Sequence, residues 1–341
     1  MTRRYSNTQF VLTLGISILI LVAVMIGSLV MGRYAISLDN LTNMLLSRVT
    51  EVEPNWRPND YRVLFSVRLP RLFAAVLVGA ALAVSGAAFQ GVFRNPLVSP
   101  DLLGVSQGAS VGAAVAILLG SAAINIQILA LVCGLAAVFI ATTIPRILRN
   151  DSTLMLVLSG VIVAGFATAL IGLLKFIADP ETQLPTITFW QLGSLTHVRA
   201  AQATQLAIVS LPCLLGLILL RWRINILSLG DTEARTLGIH LRRIRGIIIL
   251  LATILTAASV CISGTIAWVG LVVPHLCRLL IGADNSKVIP LSITIGASFM
   301  LVVDTLARSL SQEEIPLSVV TGFIGAPLFL GLLALGRVRI K

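Results

Sequence analysis

The chain has 341 residues, of which 57% are hydrophobic and only 11% charged, against about 25% charged in an ordinary soluble domain. With a mean hydropathy of +0.99, this excludes a water-soluble enzyme, a disordered chain and a coiled coil. It also argues against an outer-membrane barrel, whose alternating strands leave a modest average hydropathy. The net charge of +11 comes from 25 Lys+Arg against 14 Asp+Glu, and 22 of those cations are arginine.

A membrane-spanning helix needs about 20 apolar residues. Runs free of Asp, Glu, Lys and Arg cover residues 10–32, 72–93, 102–145, 152–174, 200–220, 246–277, 288–303 and 315–336. Two are too long for one crossing. The run 102–145 breaks near residues 120–125 (Gly-Ser-Ala-Ala-Ile-Asn), and the run 246–277 breaks near Ser263-Gly264-Thr265. Ten spans result, an even number that puts both termini on one side. The fold expected is an all-α, polytopic membrane protein forming one domain over residues 1–341. The first run is read as a span and not as a cleaved signal, because it is long and no small-x-small pattern closes it.

Orientation follows from the connectors. The N-terminus, the connectors near 94–101, 146–151, 221–245 and 278–287, and the C-terminus carry 16 Lys+Arg and 5 Asp+Glu. The segments 33–71, 175–199 and 304–314 carry 9 of each sign. The basic set is assigned to the cytoplasm. The excess charge is therefore a topology signal that needs no nucleic acid. Arg221, Arg223, Arg242, Arg243 and Arg245 are read as anchors in anionic headgroups. The outer segment 33–62 is expected at the surface, and 178–199 is expected to hold a short interfacial helix.

Several chemistries are missing from the sequence. There is no G-x-x-x-x-G-K-[ST], so nucleotide hydrolysis is not expected of this chain. No H-E-x-x-H, C-x-x-C or G-x-S-x-G occurs, and His197, His240 and His275 fall at the ends of different spans, so no metal site is expected. Cys133, Cys213, Cys261 and Cys277 read as small buried hydrophobes. The span centres hold no carboxylate of the kind a proton- or sodium-coupled carrier needs. A secondary carrier and a membrane enzyme stand as the competing classes.

Three stretches carry more than span composition. The first is Arg68-Leu69-Pro70-Arg71, then the segment Gly79 to Gln90, then Arg94-Asn95-Pro96-Leu97-Val98-Ser99-Pro100-Asp101 and on to Gly104 and Gly108. The second is Leu229-Gly230-Asp231-Thr232-Glu233-Ala234-Arg235-Thr236-Leu237-Gly238. The third runs Ser263-Gly264 to Gly270, Pro274-His275, then Asp304 to Arg308 and Glu314-Ile315-Pro316 to Gly322, Gly325 and Pro327. Together, over about residues 10–336, they closely resemble the permease subunits of bacterial ABC importers for ferric siderophores, haem and vitamin B12, the type II importers.

The resemblance implies a ten-helix permease, homodimeric or paired with a related subunit. Two cytoplasmic ATPase subunits using ATP and Mg would bind below it, and a periplasmic binding protein would dock above. Inner-membrane placement is implied, with iron–siderophore as the first cargo and haem, vitamin B12 or molybdate as alternatives. The matching cations Arg68, Arg71 and Arg308 resemble sockets for acidic residues on the binding protein, a task suited to the planar arginine fork; snorkelling to headgroups is the plain alternative. The segment 221–245 would pack on the ATPase through Leu229, Gly230, Asp231, Glu233, Ala234, Arg235, Leu237 and Gly238. A translocation path or gate would involve Ser152, Thr153, Asn95, Pro96, Gly86 and Gly160, although Leu154 departs from a polar family position. The glycines have a second reading, close helix packing. Spans two to five and seven to ten would form an inverted repeat.

Overall fold

The computed structural model describes residues 7–32, 34, 36–50, 53–150, 152–236 and 240–334, with the backbone alone for Asp231, Thr232, Arg235 and Leu333. Among these the protein is helical, with no strand. The helices are α1 (Asn7–Val30), α2 (Leu38–Leu46), α3 (Pro58–Arg62), α4 (Leu69–Phe93), α5 (Val105–Leu118), α6 (Ala123–Ile147), α7 (Thr153–Ile177), α8 (Gln183–Leu192), α9 (Ala200–Leu229), α10 (Asp231–Thr236), α11 (Leu241–Ser263), α12 (Val269–Ile281), α13 (Asn285–Ser309) and α14 (Leu317–Ala334). A π-helical stretch, Val63–Arg68, joins α3 to α4, so Pro58–Phe93 is one rod of 36 residues.

Each expected apolar run falls on one helix or, for the two long runs, on two. Among the described residues, seven of these helices are long and apolar enough to cross a membrane. α5 and α12, of 14 and 13 residues, are shorter, and α14 is described over 18 residues, Leu317–Ala334. α4 is the core of the bundle. All its residues from Val78 to Phe93 are buried, against α13, α11, α9 and α12. Close approach is possible because small residues face small residues. A Cβ on Gly79 would lie 2.3 Å from the carbonyl oxygen of Gly296 on α13, and one on Gly86 would lie 1.8 Å from that of Gly270 on α12.

The short helices have a topological cause. After α4 ends, the chain re-enters the bundle through Asn95–Gly104. Gly104 packs on Ala164, eleven residues into α7, or about 16 Å at 1.5 Å per residue. α5 therefore starts near mid-depth of a ~30 Å apolar slab. From the opposite end, Gly264–Trp268 re-enters after α11 and delivers Gly270 to Gly86. The two re-entrant segments meet where Pro100 abuts Gly270. Non-helical backbone at this depth is tolerated only when protein surrounds it. Gln90 helps to satisfy it, its side-chain amide donating to the carbonyls of Val98 (3.2 Å) and Gly270 (3.3 Å). Gly264, with φ +69, turns directly against the backbone of Trp190 and Gly193, where no side chain fits. The order long helix, re-entrant segment, short helix, then two further helices occurs twice, in α4–α7 and in α11–α14, the two sets expected to form a repeat.

Two expectations need correction. The segment 221–245 is not a long loop, since α9 continues to Leu229 and α11 begins at Leu241. Charge marks where the apolar slab ends, while the helix goes on until Gly230. The described residues of segment 33–62 are mostly exposed or half-buried, and they include α2 and α3, which pack around a buried carboxylate. Asp60 accepts from the hydroxyl of Tyr34, the amide of Asn40 (3.3 Å) and the backbone of Arg57 (3.2 Å). Asp101, assigned to an inner connector, is carried to mid-depth by the re-entrant turn. The interior therefore does hold a carboxylate, reached by the chain's path and not by an apolar run. The expected short helix within 178–199 is α8. Both termini lie outside the described residues.

Candidate functional site

The end of the bundle carrying the charge-balanced connectors holds a buried ionic cluster. Arg71 grips two carboxylates. Its Nε donates to Asp304 of α13 at 2.9 Å, and its Nη1 and Nη2 donate to the two oxygens of Glu314 at 2.8 Å each. Glu314 also accepts from the Thr196 hydroxyl at 2.6 Å. One guanidinium thus ties α4, α13, the α13–α14 connector and the α8–α9 connector together. Arg308 lies 3.6 Å from Asp304, one helical turn away, and also donates to Ser28. Arg68 donates to the carbonyls of Leu29, Val30 and Tyr34, at and just beyond the C-terminus of α1. Cations at a helix C-terminus complement its unpaired carbonyls and dipole.

The three arginines singled out by sequence are therefore brought together around one cavity of about 150 Å³. Arg68 and Arg71 are 6% and 7% exposed, held inside and not extended toward headgroups. Three cations against two carboxylates leave one net positive charge. The partners Asp304, Glu314 and Thr196 were missed as site residues. The Asp304/Arg308 spacing of four is the signal that pointed to the first.

A second cavity, of about 490 Å³, runs from where α5 and α12 begin, near mid-depth, toward the C-terminal end of α7. Asp101, Ser106, Gln107, Lys175, Gln191 and Thr265 line it. The Ser106 hydroxyl donates to Asp101. The lining offers hydroxyls and amides with one charge of each sign.

At the basic end, Gly230 (φ +135) turns the chain from α9 into the six-residue α10. Leu229 and Glu233 are exposed, and Ala234 is fully buried. The Glu233 carboxylate and the Arg94 guanidinium both lie beside Gly230. Asp231 and Arg235 sit on α10. Leu237 and Gly238 lie outside the described residues. Nearby, Asp284 caps α13 and accepts from Asn225 of α9 and from Ser286. Burial opposes its charge, but these bonds outweigh burial and hold its carboxyl below the ordinary value.

The gate candidates divide. Ser152 is exposed and caps α7 by accepting from the Met155 amide at 3.2 Å, with Thr153 beginning the helix. Asn95 is exposed and accepts from Leu97, and Pro96 follows it. Gly86 and Gly160 are buried at close backbone contacts. A Cβ on Gly160 would lie 2.2 Å from the Leu102 carbonyl. The structure brings these two glycines together with neither pair. Among the described residues no group of His, Cys, Asp and Glu could hold a metal ion.

A helical bundle crossed by two re-entrant segments, with an ionic cluster at one end and a short helix at the other, is the architecture of an ABC importer permease. The chain belongs to the FecCD transport family, whose model matches residues 19–335. The molybdate import system permease protein MolB of Haemophilus influenzae is 40% identical over 315 residues, covering 92% of this chain and 93% of that one. A probable iron chelatin transport system permease protein of Helicobacter pylori is 41% identical over 272 residues, covering 80% and 82%. A solved inward-facing structure of a protein assigned to the metal-chelate type of ABC transporter superposes with TM-score 0.85 at 39% identity, covering 94% of this chain and 98% of that one. The protein is thus a membrane-embedded permease subunit of the type II importer class and not an enzyme; ATP hydrolysis belongs to a separate subunit.

Proposed function

We propose that this chain, one permease domain, pairs with a second copy to form the path by which a metal chelate, iron–siderophore first, enters the cytoplasm. The observation that carries the importer reading is the family match along almost the whole chain. The basic connectors face the cytoplasm and both termini lie there. Two ATPase subunits, using ATP and Mg, pack on Leu229, Gly230 and α10 with Asp231, Glu233, Ala234 and Arg235, and on Leu237 and Gly238 beyond it. A binding protein docks at the other face, where the net positive charge of the Arg68, Arg71 and Arg308 cluster meets acidic residues. Ser152, Thr153, Asn95 and Pro96 form the inner constriction, and Gly86 and Gly160 let the surrounding helices close on it.

Reconstitution in proteoliposomes tests the reading. Uptake should require the binding protein, the ATPase and ATP; uptake by the permease alone would overturn it. For docking, Arg308→Gln should weaken binding-protein association about tenfold, most at low salt, and unchanged affinity would refute the assignment. A second cargo, molybdate, is favoured by the relative that matches 92% of the chain. Competition between ferric siderophore and molybdate for the cognate binding protein, read by its melting temperature, separates the two.

A further inference from the structure

A large groove shares Ser152 with the inner constriction proposed above but is otherwise formed by other residues. It runs between α6 and α11, beside the start of α7, with a volume of about 600 Å³. Its mouth, at the basic end of the bundle, is ringed by Arg146, Arg242 and Arg245. Its walls are aliphatic and aromatic: Leu135, Val138 and Phe139 from α6, and Ile249, Leu250 and Ile254 from α11. Phe139 and Leu250 are 69% and 56% exposed, so the groove opens sideways.

The dimensions match one membrane leaflet. Arg146 and Leu135 are eleven residues apart on α6, and Arg242 and Ile254 twelve apart on α11, or about 16 and 18 Å along the helices. Half of a ~30 Å hydrocarbon core is about 15 Å. A free phosphate would use the arginines and leave the apolar length uncovered. A neutral acyl chain would do the reverse. A basic mouth on an apolar slot one leaflet deep fits a molecule with both parts.

We propose that this groove holds one anionic phospholipid of the cytoplasmic leaflet, its phosphate among Arg146, Arg242 and Arg245 and one acyl chain along the α6–α11 wall. The word cytoplasmic rests on the orientation proposed above. The binding is read in micelles, where orientation has no bearing, so the two ideas fail separately.

The test is native mass spectrometry of the purified permease, titrated with phosphatidylglycerol, cardiolipin or phosphatidylcholine. The anionic lipids should bind at least tenfold more tightly than phosphatidylcholine. The triple variant Arg146→Gln, Arg242→Gln, Arg245→Gln should weaken anionic-lipid binding by about a hundredfold, at roughly fivefold per arginine. The double variant Arg221→Gln, Arg223→Gln, which removes two charges outside the groove lining, should change it less than threefold. A second variant leaves the arginines alone. Gly246 lines the groove, and a Cβ there meets nothing within 4 Å, so Gly246→Phe should fold and obstruct the lipid, lowering its binding at least tenfold. Equal binding of phosphatidylcholine, or wild-type retention in both groove variants, would overturn the proposal. Displacement of the lipid by millimolar glycerol 3-phosphate would overturn it in favour of a simple anion site. A photo-crosslinking residue at position 139 should label lipid in membranes; labelling of a protein instead would overturn it.

Discussion

Gly86→Ala is the sharpest probe of how this bundle is held. The added Cβ would lie 1.8 Å from the Gly270 carbonyl oxygen, and 2.6 and 2.8 Å from two further backbone atoms of Gly270. Ordinary contact begins at 3.4 Å, so α4 and α12 would have to part by about 1.6 Å along that line. No rotamer can relieve the clash, because the obstacle is backbone. Gly270 is itself pinned, with Pro100 on one side and the Gln90 amide on its carbonyl. Overpacking usually costs about 1–3 kcal/mol, and this site belongs at the top of that range. Alanine returns about 1 kcal/mol of helix propensity. The net loss is about 2 kcal/mol, or roughly 30-fold in the folding equilibrium. Cys213, Cys261 and Cys277 are buried and Cys133 is partly exposed, so in a Cys133→Ser background a thiol-reactive dye in detergent reports the unfolding midpoint. Gly165→Ala is the control, since a Cβ there meets nothing within 4 Å, and it should leave the midpoint unchanged or raised. If Gly86→Ala melts with the wild type while transport slows, Gly86 lines the path and the packing argument is refuted.

The other predictions concern the two ends and the centre. Asp304→Asn should destabilise the fold by about 3–5 kcal/mol, the range for breaking a buried pair, and Glu314→Gln by less, since its side chain is 23% exposed; equal midpoints for the two variants in thermal unfolding would contradict the burial order. Gln90→Met keeps the volume but frees the carbonyls of Val98 and Gly270 and the Arg278 partner. It should cost about 2–3 kcal/mol by the same assay, and a neutral result would show that the re-entrant turns are held by other bonds. Asp284→Ala should cost about 1 kcal/mol through the lost cap. Because its carboxyl lies below the ordinary value in the folded protein, wild-type stability from this group is present above pH ~4 and lost as pH falls through the folded value. The variant should therefore show a smaller acid-induced loss, checked by melting between pH 3 and 7.

Much of the site was legible as residues but not as an assembly. Arg68, Arg71 and Arg308 could be picked out from motif matches, yet nothing in a linear reading says that one guanidinium is shared by Asp304 and Glu314, 233 and 243 residues away. Glycines could be given two roles but not sorted. Gly86 and Gly165 look alike in the sequence, and only the neighbouring helix distinguishes a backbone contact from open space. Arg242 and Arg245 read as headgroup anchors and Arg146 only as connector charge, because the slot between α6 and α11 that brings them together does not exist until the helices pack.

The sequence alone determined the apolar segments, their breaks and the uneven charge of the connectors, because hydropathy over 20 residues and the sign of flanking side chains are local properties. The opening figure of 57% hydrophobic content thus resolves into separate helices without any tertiary information. What only the tertiary structure decided is depth. α5 and α12 read as ordinary spans, but both begin inside the bundle, since the segments before them fold back to meet at Pro100 and Gly270. Depth depends on which backbone can be surrounded by protein and have its polar groups satisfied, and that is set by distant residues such as Gln90 and Gly86. For the same reason Asp101, which follows Pro100 in a connector by composition, is an interior carboxylate by position.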